Sequence, residues 1–145
     1  MSDYNDRKFT ILLVFAFIVG SLWDATTTFV GIVTIIGSSG VGTYGIAMTG
    51  MIIVLAFNLA TRKIWKDFKD DFDNSFRYGY LNLVLIILWC GSILFDFITA
   101  LEGNYSYVFY PKKEDPLVQI ILIFLTLITT ISPMMVNQLI ADLNK

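Results

Sequence analysis

Two aspartates stand inside long apolar runs, and each is followed three residues on by a threonine and seven residues on by a glycine. The first lies in Gly20-Ser21-Leu22-Trp23-Asp24-Ala25-Thr26-Thr27-Thr28-Phe29-Val30-Gly31. The second lies in Gly91-Ser92-Ile93-Leu94-Phe95-Asp96-Phe97-Ile98-Thr99-Ala100-Leu101-Glu102-Gly103. Both read aromatic-Asp-x-x-Thr-x-x-x-Gly, with the aspartates 72 residues apart. An ionised Asp at the centre of a bilayer costs at least about 2.5–3.5 kcal/mol, and no Arg, Lys or His lies at matching depth in either run. Three states resolve that cost. The carboxyls are neutral and hydrogen-bonded, or ionised in a water- or ion-filled cavity, or they share a proton with each other or with a symmetry mate. The chemistry open to them is therefore hydrogen-bonded assembly, proton or cation binding, or pairing with a basic residue of another protein. Asp24 and Asp96, with Thr27, Thr28 and Thr99, are the candidate ion- or proton-binding residues.

On a helix, the positions four before, three or four after and seven after a residue share its face. That places Gly20, Asp24, Thr27, Thr28 and Gly31 on one stripe and Ser92, Asp96, Thr99, Ala100 and Gly103 on another. Small residues let helix backbones approach closely in lipid, and hydroxyls bond across the contact. Gly20, Gly31, Ser92 and Gly103 are thus expected at helix–helix contacts. A second pair of segments matches more weakly, with Asn58 and Asn137 near corresponding ends. One of these segments carries the polar line Thr126, Thr130, Pro133 and Asn137. The other offers Ala47, Gly50 and Asn58, with Ala56 and Ala60 at small-xxx-small spacing. Pro133 removes a backbone donor. Duplication of a two-helix unit accounts for these matches and predicts parallel halves about an axis along the membrane normal. It also predicts that Asn substitution at Asp24 and at Asp96 has the same effect.

The elements that must position these residues are membrane spans. The chain has 145 residues, 56% hydrophobic and 15% charged, with a mean hydropathy of +0.69. Soluble domains run at roughly 45–50% apolar and about 25% charged. A spanning helix needs about 20 mainly apolar residues. Four such runs are expected at 9–36, 43–61, 79–101 and 116–139. The first, preceded by a short acidic segment, is too long for a signal-peptide core and is expected to act as a signal anchor. The uncharged turn from Gly37 to Gly42 suits a tight hairpin. The expected fold is all-α: one integral membrane four-helix bundle built from two transmembrane hairpins.

Residues 62–77, RKIWKDFKDDFDNSFR, carry Ile64, Phe68, Phe72 and Phe76 at every fourth position, with Trp65 beside them. This is an amphipathic connector, either lying at the lipid headgroups or offering a face to a partner or sister subunit. Arg7, Lys8, Arg62, Lys63, Lys66, Lys69, Arg77 and Lys145 fall on one side of a four-span topology; only Lys112 and Lys113 fall on the other. The excess of Lys and Arg marks the cytoplasmic side, so both termini and the connector are expected inside. A bacterial-type inner membrane suits the chain better than the secretory pathway. Residues 102–115 read as an outer loop whose Tyr105, Tyr107, Phe109 and Tyr110 form an interfacial belt. This loop includes the formal glycosylation sequon Asn104-Tyr105-Ser106.

Histidine is absent, removing the usual haem and zinc ligand and the commonest general base. Cys90 is the single cysteine, so no internal disulfide can form. The net charge of −2 lacks the clustered basic residues of a nucleic-acid binder. No cofactor is expected. An intramembrane aspartyl enzyme is disfavoured because no accompanying motif surrounds the two carboxyls. Two functions remain: an oligomeric channel or transport protein for cations or protons at Asp24 and Asp96, or a non-catalytic assembly subunit of a membrane complex. The expected partners are the bilayer itself and further copies or other membrane subunits.

Overall fold

A computed structural model describes residues 2–73, 79–108 and 115–143. They form four helices: α1 (Ser2–Ile36), α2 (Val41–Asp73), α3 (Gly79–Val108) and α4 (Pro116–Leu143). All four are long and apolar enough to cross a membrane. The chain is an all-α, four-helix membrane bundle.

Local chemistry sets the helix ends. Gly37 closes α1 at φ 66°, a left-handed conformation that glycine adopts without a Cβ clash, and its N–H donates back to the Val33 and Thr34 carbonyls. Three residues later the Gly40 carbonyl accepts from Thr43 and Tyr44 and starts α2. At α4, the Asp115 carboxylate accepts from the Leu117 N–H at 2.9 Å, and Pro116 occupies the first helical position, where its missing N–H costs nothing.

Three segments differ from the sequence reading. α1 begins at Ser2 rather than at residue 9, so the polar start of the chain is already helical. Residues 62–73 are not a separate connector helix but the continuation of α2, because no glycine or proline interrupts the chain between the span and the charged stretch. Residues 102–108 extend α3 rather than opening the outer loop, so Asn104 and Tyr105 are helical. Phe76, Arg77, Phe109, Tyr110, Lys112, Lys113 and Lys145 lie outside the described residues.

The interior is more polar than the exterior. Twelve described polar residues are buried against six apolar ones besides glycine, Ile32, Ala47, Val54, Ala100, Leu122 and Pro133, while Leu12, Phe15, Leu22, Leu94, Ile120 and Phe124 point outward. Water would expel such a surface; hydrocarbon accepts it and drives the hydroxyls and amides inward.

Each hairpin leans on the other. α1 packs most extensively on α3, and it meets α4 more than its own hairpin partner α2; α3 likewise meets α2 more than α4. At the centre, a Cβ added to Gly31 would collide with the Thr99 carbonyl, and one added to Gly103 would collide with the Thr27 carbonyl. These two contacts are the same contact under exchange of residues 72 apart. Burial follows that register: Asp24 and Asp96, Thr27 and Thr99, Thr28 and Ala100, Ile32 and Asn104, Val54 and Thr126, and Asn58 and Thr130 are buried in both halves. Gly20 packs on the Ser132 side chain, and Gly50 approaches Ile32 Cδ1. α4 runs through the buried Pro133 without a break.

Candidate functional site

The stripe around each aspartate faces the other, so both carboxyls end up inside the bundle, 2% exposed at Asp24 and 0% at Asp96. Thr28, one helical turn after Asp24 on α1, reaches Asp96 on α3, so the two carboxyls share one buried region. Asp96 accepts from Thr28 Oγ1 and from Asn58 Nδ2, both at 2.6 Å. Asp24 accepts from Thr130 Oγ1 at 3.3 Å. All four helices therefore contribute to one cluster: α1 and α3 the carboxyls, α2 and α4 an amide and a hydroxyl. Each carboxyl is met by the second helix of the opposite hairpin. The described hydrogen-bond donors around the pair are neutral.

Of the residues singled out from sequence, Asp24, Asp96 and Thr28 come together directly. Thr27 and Thr99 stand beside them but turn their hydroxyls back on their own helices, Thr27 to the Trp23 and Asp24 carbonyls and Thr99 to those of Phe95 and Asp96. Their contribution is the backbone carbonyl on which the opposing glycine sits. Ser92 is half-buried, and its Oγ has no partner.

Asn58 and Thr130 were visible in sequence, but their roles were missed. The weak match of Asn58 to Asn137 is not in the 72-residue register, and Asn137 donates its Nδ2 to the Leu59 carbonyl at 2.5 Å. Thr130 occupies the equivalent place, 72 residues after Asn58. The spacing that links Asp24 to Asp96, applied to the second and fourth spans, identifies it. Asn58 keeps one buried acceptor, Oδ1, without a partner.

A second polar chain runs beside the pair. Trp23 Nε1 donates to Asn104 Oδ1 at 3.0 Å, and Asn104 Nδ2 donates to Thr126 Oγ1 at 2.9 Å. Asn104 is fully buried, so the formal sequon around it offers no acceptor for a glycan. The positions 72 residues away from Trp23, Asn104 and Thr126 are Phe95, Ile32 and Val54, which are apolar throughout.

On the charged extension of α2, Ile64 and Phe68 are half-buried and Trp65 is 56% exposed. The Trp65 ring lies 6.3 Å from both Phe68 and Trp89, and Trp89 Nε1 donates to Thr61. The Phe72 side chain lies outside the described residues. Among the described residues, no cluster of His, Cys, Asp or Glu could hold a metal ion. The described grooves lie on the flanks of the bundle, and neither aspartate lines them.

What the centre can do is limited and specific. Two carboxyls buried in one hydrogen-bonded cluster offer acceptor oxygens that a proton or a small cation could bridge. Asn and Thr donors orient the oxygens without adding charge. Comparison of the chain with family models, curated proteins and solved structures finds no match. The class is thus a multi-pass membrane protein with a paired-carboxyl core.

Proposed function

We propose that this multi-pass membrane protein binds a proton or a small cation at the Asp24–Asp96 pair in the course of permeation or coupled transport, and that it is not an enzyme. The observation that carries this reading is the pair itself: two carboxyls at equivalent repeat positions, buried in one cluster to which all four helices contribute, with the unpartnered Asn58 Oδ1 on an amide that touches one of them. Intramembrane carboxyls recur on ion and proton pathways because few other groups change charge there. Four helices are few for a monomeric path, so the reading includes assembly of several copies. It also puts both termini and the charged end of α2 in the cytoplasm, following the bias of Lys and Arg.

The test is flux in reconstituted vesicles. The Asp24→Asn/Asp96→Asn double variant keeps the size of the pair and a hydrogen-bonding group at each site but cannot ionise. It is expected to fold and assemble normally and to lose proton- or cation-driven flux. Normal flux in the double variant removes both residues from any transport mechanism. Cysteine labelling at 66 and 69 from the cytoplasmic side is the corresponding check of topology; labelling from the outside reverses it.

One observation favours a second reading, a non-catalytic assembly subunit. The Gly31–Thr99 and Gly103–Thr27 contacts pack backbone against backbone, as a structural seam requires. In that case the double variant is neutral for folding, assembly and the activity of the complex alike.

A further inference from the structure

The charged end of α2 has two unlike flanks. The groove it forms with α3 is floored by apolar and small residues, and its charges are Lys63 and Asp67, one of each sign. The pocket it forms with α4 is lined by Arg62, Lys66 and Lys69 with Trp65, Met134 and Gln138, and among the described residues no acidic side chain lines it. Positions 62, 66 and 69 share a helix face at spacings of four and three, so helix geometry sends all three cations to the same side. Below them the described surface of α4 is apolar, with Ile131 40% exposed. Trp65, 56% exposed, adds a ring with an apolar body and a polar edge, the kind that settles at the headgroup level.

We propose that this pocket between α2 and α4 binds the phosphate headgroup of an anionic phospholipid. The Arg62 guanidinium offers a planar fork to the phosphate oxygens, while Lys66 and Lys69, about one and two turns further along the same face, act as point charges. Gln138 supplies an uncharged donor, and Met134 with Ile131 gives the acyl chains an apolar track. Charge complementarity selects the occupant: a zwitterionic headgroup brings a cation of its own into a pocket already holding three. The apolar track selects a lipid over a free anion.

The test is native mass spectrometry of the full chain released from micelles containing equal amounts of phosphatidylglycerol and phosphatidylcholine. The unmodified chain is expected to retain phosphatidylglycerol preferentially. The Arg62→Gln/Lys66→Gln/Lys69→Gln variant is expected to lose at least about tenfold of that retention, from roughly one interaction per removed charge. Lys63→Gln, which removes the same kind of charge from the other flank, is expected to leave it unchanged. Inorganic phosphate at matching concentration is expected not to displace the lipid. Equal retention of the two lipids, an equal loss on Lys63→Gln, or displacement by inorganic phosphate each overturns the proposal. If the triple variant loses its helical circular dichroism, the three single substitutions carry the test: a severalfold loss in each supports the site, and no loss in any of them refutes it.

Discussion

The first hairpin, α1–α2, and the second, α3–α4, share a frame and differ in its furnishing. The Asp, Thr and Gly positions of the central seam are the same in both, and the two glycines sit on the two threonine carbonyls in matching fashion. Around that frame the halves diverge. Asp96 receives two short hydrogen bonds, from Thr28 and Asn58, whereas Asp24 receives one longer bond, from Thr130. The residue matching Thr28 is Ala100, which has no hydroxyl to return. The polar chain Trp23–Asn104–Thr126 has the apolar counterpart Phe95, Ile32 and Val54. Close backbone packing demands small residues at fixed places, so the seam is symmetric. Hydrogen bonding demands only that each buried polar group find some partner, so the surroundings are free to differ. The two aspartates are equivalent in position and unequal in environment. The expectation that their Asn variants behave alike therefore gives way to one in which they differ.

The largest effect is expected where the halves agree most. Gly31→Leu and Gly103→Leu each drive a side chain into a facing carbonyl, and each should cost about 3 kcal/mol or more, seen as loss of the folded bundle in a thermal melt. Equal damage from the two sharpens the symmetry of the seam. A mild effect at either breaks it.

Next comes the pair of donors that differ. Asn58→Leu removes a 2.6 Å bond to Asp96 and places a bulky group at a fully buried site. Thr130→Val removes a 3.3 Å bond and keeps its shape. The first is expected to destabilise by roughly 1–2 kcal/mol and the second by about 0.6 kcal/mol, the range of interhelical bonds in lipid. Chemical unfolding in detergent measures both. Equal losses would mean that the two carboxyls are held alike after all.

The smallest effect tests whether the second polar chain is decoration. Trp23→Phe with Asn104→Ile and Thr126→Val gives this chain the residues of its counterpart, Phe95, Ile32 and Val54, and removes every partner of both hydrogen bonds together. Replacing all the partners by apolar groups is nearly neutral, so a change within about 0.5 kcal/mol is expected. Asn104→Ile alone leaves the Trp23 N–H without its acceptor and should cost about 1–2 kcal/mol. If the triple change costs more than the single one, the polar chain has a role that shape alone does not supply.

Much of this was legible in the chain. Long apolar runs with few charges can only be spans, because lipid tolerates little else, and the Asp-x-x-Thr-x-x-x-Gly repeat marks the inward faces by helical periodicity alone. The end of α1 and the start of α4 follow from Gly37, Asp115 and Pro116. The ends of α2 and α3 were not legible, since polarity change marks the edge of the bilayer and not the end of a helix. A charged or aromatic stretch without Gly or Pro simply continues the helix it extends. Nor could the sequence say who bonds whom. Asn58 meets Asp96 and not Asp24, and Thr130 meets Asp24 and not Asp96, because each hairpin leans across onto the other. That choice depends on how four cylinders pack, a long-range matter that no local pattern encodes.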